Sequence, residues 1–398
     1  NINSGTVVGN TSAEDIYECS SYTIASRGTV NINGGVVRSI SSDLVTQYGI
    51  FTAGTLNVNG GTIEAVGPAI YDVETANTTV LGGNIKSGGT NNTIGRPTIL
   101  HNSTGELKIT GNNKIVIYNK LSAALQNHDL GVCTIDNPNA ILEGGDCSVR
   151  NYVGGTINIK NGQMNAFTND GVLNSTGGTI NITGGTIRAK RVGLVNLSGT
   201  TNISGGKINQ TGTFTLSTGS SVSTDTNSVG IRIYTGEVNI SGGTIIANDL
   251  GIGSAKPEDD STAMGKINIT GGKIQGSNNG IVDRVGLIIT LGKNDSTVSQ
   301  TTPEIIGTNQ YGLYRNVTSD SAGEYLSFYD GIITGKKAAI GGNVKNIPTG
   351  YTIVRSKASN METAVLKKNV TVSITGVDNG TVNIFDNVTT TFTAKISG

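Results

Sequence analysis

The sequence predicts an all-β fold, a right-handed single-stranded parallel β-helix with three short strands to each rung. Three observations predict it. A phrase close to Gly-Thr-Ile-Asn-Ile-Thr-Gly-Gly recurs almost from end to end. Within each copy apolar and polar residues alternate, the mark of a strand with one buried face. Successive Gly-Gly pairs mostly stand roughly 21 to 29 residues apart, a spacing typical of solenoid repeats.

The clearest copy of the phrase is 178–185. Others are 28–35, 54–61, 155–162, 200–206, 236–243 and 265–272, with weaker versions at 105–111 and 132–138. In the run Thr179, Ile180, Asn181, Ile182, Thr183 the isoleucines share one face and the hydroxyls and amide the other. The Gly-Gly that follows opens backbone angles closed to other residues, so the chain turns a corner. A short second strand comes next, as at 62–65, 186–189 and 273–275. A third phrase completes the unit, at 48–51, 69–71, 171–173, 193–195, 230–233 and 280–282. Three strands and three corners make one rung of a coil. Stacked at about 4.8 Å, about a dozen rungs give a rod of roughly 60 Å, and the usual hand of parallel crossovers makes it right-handed. A β-sandwich would need longer strands and antiparallel hairpins.

Length alone, 398 residues, suggests several globular domains. A solenoid escapes that expectation because it lengthens without thickening. The 58 glycines, 6 prolines and absence of Trp suit a chain of tight corners. The expected layout is a solenoid over 1–350, a cap over 351–369 that shields the last rung's open edge, and the start of a further β domain, possibly Ig-like, over 370–398. The opening residues read as the tail of a rung, so a segment of a larger protein is expected.

Charge is balanced, 28 basic against 28 acidic residues. No basic stripe points to nucleic acid, and no apolar run is long enough to cross a bilayer. Three cysteines, Cys19, Cys133 and Cys147, are too few for a disulfide framework. Two readings stay open for Cys133 and Cys147: a bridge within one rung, or burial as small apolar residues.

Function in solenoids tends to sit on departures from the repeat. Residues 211–227, rich in Ser and Thr, read as an extra rung edge or a long loop. Residues 254–263 carry an acidic run, Glu258, Asp259 and Asp260, and 293–303 interrupt a rung with polar residues. Residues 311–329 collect Tyr311, Tyr314, Tyr325, Phe328 and Tyr329. Tyr311, Tyr314, Tyr325 and Tyr329 are the best binding candidates, because aromatic faces stack on sugar rings at little entropic cost. The competing reading has them plug the end of the coil.

The outward Thr/Asn ladder (Thr29, Asn31, Asn33; Thr55, Asn57, Asn59; Thr156, Asn158; Thr179, Asn181, Thr183) reads first as a solvated face stiffened by stacked amides. Lys160, Glu237 and Lys266 interrupt it, which counts against ice binding. Its Asn-x-Ser/Thr triplets follow from strand alternation and read as by-products. His101 and His128 stand about one rung apart, weak support for a metal. The acidic run at 258–260 lacks a calcium-loop pattern. Stacking brings Arg188 or Arg191 toward Asp170 or Asp249, the only hint of the acidic and basic pairs a polysaccharide lyase or glycosidase needs. No catalytic residue, metal or cofactor is expected.

The rungs resemble those of large surface proteins of gut Firmicutes built from GTxNIxGGxI…GIYN units. The stretches 287–312, 327–331 and 347–350 look like their closing rungs, and the resemblance spans 28 to about 368. It implies exposure on a bacterial cell surface. The function expected is a rigid extracellular stalk or adhesin presenting a surface to a host or glycan ligand, with self-association into fibres and polysaccharide cleavage as alternatives.

Overall fold

The computed structural model describes residues 1–10, 21–40, 47–88, 96–256, 264–295, 298–315, 326–373 and 381–385. The predicted β-helix is what these residues form. Strands recur in the order first, second, third sheet, and each pairs in parallel with its copies one rung above and below. Among the described residues there is no helix long and apolar enough to cross a membrane.

The first sheet has 12 strands among the described residues, the Thr-x-Asn strands included, from Thr29–Ile32 through Thr179–Ile182 to Leu326–Phe328. The second holds the strands after the Gly-Gly corner, among them Val36–Ile40, Thr62–Ala65, Ala140–Gly144 and Ile332–Gly335. The third has 13 strands, including Gln47–Thr52, Asp170–Asn174 and Tyr311–Arg315. Apolar residues of all three meet in one axial core. Ile180 and Ile182 of the first sheet, Ile187 of the second and Leu194 of the third are at most 1% exposed.

The corners leave no room for side chains. Gly61 and Gly185, the second glycines of their pairs, have φ of 83° and 76°, where L side chains are strained. A Cβ on Gly61 would lie 2.7 Å from the carbonyl oxygen of Gly35 in the rung below. Gly193 serves a different need: a Cβ there would sit 2.2 Å from the Ile208 Cγ2. The third strand thus enters close against the second sheet.

The outward amides of the first sheet form the expected ladder. Asn181 donates to Asn158 at 2.9 Å, Asn202 to Asn181 at 2.9 Å, Asn239 to Asn202 at 3.0 Å and Asn268 to Asn239 at 2.8 Å. A second series links Asn57 to Asn31 and Asn31 to Asn1. The residues that break the pattern pair along the axis: Lys160 with Asp136 at 3.7 Å and Lys266 with Glu237 at 3.3 Å.

Residues 211–227 are not a rung edge but a long excursion from the coil. Thr213–Thr215 and Ser221–Ser223 form an antiparallel hairpin that leaves the coil. It folds back over the second sheet, where Phe214 and Leu216 become buried.

At the C-terminal end the parallel stacking stops. Met361–Ser373 pairs antiparallel with Ile332–Gly335 on one side and Tyr351–Ala358 on the other, around a tight turn at Ser359 and Asn360. Ala364 and Leu366 enter the core at 0% exposure. The long strand runs through 369–370 without a break and pairs with Thr381–Phe385.

Candidate functional site

The third sheet carries most of the chemistry, on both of its sides. On its inward side a run of six successive strands carries a buried polar residue at or near its end. Register aligns Asp72, His101, Asn127, Asn151, Asn174 and Asn196 in one column. Four of them reach forward to the carbonyl four residues on: His101 to Gly105 at 3.3 Å, Asn127 to Gly131 at 3.0 Å, Asn151 to Gly155 at 2.8 Å and Asn174 to Gly178 at 3.2 Å. The column closes the corner into the next rung and also bonds along the axis, as from Asn174 to Asn196 at 3.2 Å. His101 is therefore a corner clamp. Its Nδ1 lies 2.8 Å from Asp72, and both side chains are fully buried. The two histidines do not converge: His128 points outward and stacks on Tyr152 with ring centres 4.9 Å apart. This inner column is legible in the recurring Asn-x-x-x-Gly of 127–131, 151–155 and 174–178, which sequence reasoning passed over.

The outward side is the candidate site. At its N-terminal end Tyr22, Tyr48, Phe51 and Tyr71 form a two-by-two platform. Ring centres are 4.6 Å apart for Tyr22–Phe51, 5.2 Å for Tyr22–Tyr48, 5.0 Å for Tyr48–Tyr71 and 5.7 Å for Phe51–Tyr71, within the range of favourable aromatic pairs. The outward column then runs Tyr71, Leu100, Gln126, Arg150, Leu173, Val195, Arg232, Gly253, Val282 and Tyr314.

Tyr311 and Tyr314 come together at the far end, stacked at 4.5 Å, and the Lys337 ammonium sits 4.9 Å from the Tyr311 ring centre. Both rings lie on Gly341 of the next rung, where a Cβ would meet Tyr311 Cε1 at 2.6 Å and Tyr314 Cδ2 at 2.8 Å. They do not plug the coil; Phe328, fully buried in the core, is the aromatic that fills it there. Tyr329 follows a first-sheet strand and is removed from this pair. Tyr325 lies outside the described residues, as do Cys19 and Glu258, Asp259 and Asp260.

Between the platforms lies a charged cluster. Arg150 bonds Asp146, Asn169 donates to Asp146 at 2.8 Å, and Arg191 donates to Asn169 at 2.9 Å. Asp170 stands beside them. Burial pushes its carboxyl up to about 6, although Arg191 and Arg232 oppose the rise. Its Oδ1 is buried without a hydrogen-bond partner. The expected approach of Arg191 to Asp170 is realised, while Arg188 goes to the second sheet, 6.0 Å from the Phe214 ring. Asp249 instead accepts from Asn278 at 2.8 Å. Beyond the cluster, Val192, Val195, Val229, Leu250 and Val282 pack into a small outer core flanked by Leu173, Leu197, Tyr234 and Tyr314.

Cys133 and Cys147 are both buried and unbridged. Cys133 points into the axial core, pushed well above the usual thiol range by burial. Cys147 is in register with Asp170, three residues before the column that holds Arg150 and Leu173; burial pushes its thiol up to about 12 against the pull of Arg150. Among the described residues no group of three His, Cys, Asp or Glu side chains is arranged to hold a metal ion. The chain matches no family model, no curated protein and no solved structure.

Proposed function

We propose that this chain is a rigid extracellular segment of a bacterial surface protein that binds a glycan along the outward side of its third sheet. One observation carries the reading. Two stacked tyrosine platforms occupy the same outward column, nine rung steps apart from Tyr71 to Tyr314. At about 4.8 Å per step that is roughly 43 Å. Asp146, Asn169, Arg150 and Arg191 supply directed donors and acceptors between them, the few placed polar groups that orient a ligand on an apolar bed. A linear polysaccharide parallel to the axis would stack sugar faces on both platforms. The amide ladders and axial core make the rod stiff enough to hold the platforms at fixed separation. Affinity electrophoresis against plant, microbial and mucin glycans tests the reading: at least one should retard the protein, and Tyr71→Ala with Tyr314→Ala should abolish the shift.

A hydrolytic reading has one observation in its favour. Asp170, with its carboxyl near 6, stands close to Asp146, and a raised carboxylate beside a second one is the pattern of general-acid chemistry. Release of reducing sugar from the bound glycan, lost in Asp170→Asn, would establish it.

A further inference from the structure

On the second sheet a separate outward column runs Arg38, Glu64, Lys86, Tyr118 and Glu143. A cleft of about 230 Å³ opens over its first four members, walled by Ser39, Ala65, Val66, Ser87 and Gly88. That volume falls below the roughly 300 Å³ at which pockets begin to hold drug-sized ligands, so the cleft suits one small ring.

Its polar lining consists mostly of donor-bearing side chains, of which the Ser39 and Ser87 hydroxyls already donate to Gln47 and to the Gly67 carbonyl. Glu64 is the only carboxylate among the lining residues, and Arg38 engages it through Nε at 3.2 Å and Nη2 at 3.1 Å. Lys86 is exposed one rung further on and makes no ion pair among the described residues. Tyr118 offers its ring and hydroxyl, and burial, then the Glu143 carboxylate, push that hydroxyl up, keeping it a donor at neutral pH. The ring is braced by Phe167, stacked at 6.0 Å with planes 11° apart. Past Tyr118 the column is shut. Glu143 is fully buried and bonded to Ser217 of the hairpin.

We infer that this cleft binds a single anionic sugar, a terminal or branch residue bearing a carboxylate or sulfate, with its acid group on Lys86 and its ring beside Tyr118. A salt bridge to a lone ammonium supplies the charge preference, and the edge of an aromatic wall supplies the ring preference. The covered Glu143 keeps a polymer from continuing along the column, so the site takes an end and not an internal unit. This site is independent of the third-sheet face and stands or falls apart from it.

Isothermal titration of the intact chain with glucuronate, galacturonate, glucose 6-sulfate, glucose and inorganic sulfate tests the inference. At least one acidic sugar should bind saturably, ten-fold or more tighter than glucose and than inorganic sulfate. Lys86→Met and Tyr118→Ala should each weaken that binding ten-fold or more, and Lys336→Met, an exposed lysine at the far end, should leave it unchanged. A carboxylated sugar binding alone identifies a uronate site, and a sulfated one alone a sulfate-ester site. No saturable binding of any acidic sugar, equal binding of glucose or inorganic sulfate, or full binding by Lys86→Met would overturn it.

Discussion

Ser217 donates its backbone N–H and its hydroxyl to the two carboxylate oxygens of Glu143, 74 residues earlier in the chain. The pair pins the hairpin flat across the second sheet, with Phe214 and Leu216 beneath it. Glu143 is thereby satisfied in a place where an unpaired carboxylate would be costly. Glu143→Ala removes the acceptor and leaves the Ser217 N–H to water or to nothing. The loss should be about 1–2 kcal/mol, raising the open fraction of the hairpin by roughly 5- to 30-fold. Limited proteolysis followed by mass spectrometry should show faster cutting within 217–220, with the rest of the coil unaffected.

The two asparagine ladders should respond differently to truncation. Asn174 is fully buried and is the partner of the Gly178 carbonyl, so Asn174→Ala strands an interior acceptor and should cost about 1–3 kcal/mol. Asn181 lies on the outward ladder, where water replaces the lost amide, and Asn181→Ala should cost under about 1 kcal/mol. Midpoints of urea unfolding, compared between the two variants, check the ordering. The same logic makes His101→Ala costly, since it leaves the Asp72 carboxylate buried without its imidazole partner.

Asp170 gives the protein a definite pH dependence. Its carboxyl is raised from 3.8 to about 6 in the folded state, so the folded chain holds a proton that the unfolded chain has released. Between these values stability falls as pH rises. The cost is absent below about 3.8 and complete above about 6. Asp170→Asn should therefore stabilise the protein by about 1–3 kcal/mol at pH 7.5 and add nothing at pH 3.5. Thermal melts of both proteins across this range would show the curves converging in acid.

Cys133 and Cys147 should be silent in the native protein. Only a thiolate alkylates readily, and burial pushes Cys147 up to about 12 and Cys133 well above its usual range. Iodoacetamide at pH 7.5 should leave the peptides containing Cys133 and Cys147 unmodified, and label both after unfolding in denaturant.

The coil itself was legible because each rung writes its geometry locally. Thr179, Ile180, Asn181 and Ile182 alternate, and Gly184–Gly185 marks the corner. Tyr311 and Tyr314 were recognisable as aromatic candidates, but their meaning depended on residues such as Tyr71 that lie far away in sequence. Rung lengths vary, so only the register shows that Tyr71 and Tyr314 share a column. The buried fate of His101 was hidden for a related reason: its slot is defined by Asn127, Asn151 and Asn174, and a lone histidine in an asparagine column does not look like a member. The hairpin at 213–223 was missed because its strands are three residues each and its anchor, Glu143, is three rungs back.

If one glycan chain spans both tyrosine platforms, its affinity depends on its length. The most direct measurement is the affinity of the chain for size-fractionated oligosaccharides of the glycan that retards it best. Fragments too short to cross the roughly 43 Å between Tyr71 and Tyr314 should bind weakly, on one platform at a time, and should still bind weakly to Tyr71→Ala or Tyr314→Ala alone. Fragments long enough to reach both should bind ten-fold or more tighter, as two linked contacts act together, and either substitution should return them to the short-fragment value. Affinity that does not change across that length, or long fragments that bind equally well when both tyrosines are replaced, would show that the two platforms do not share one glycan.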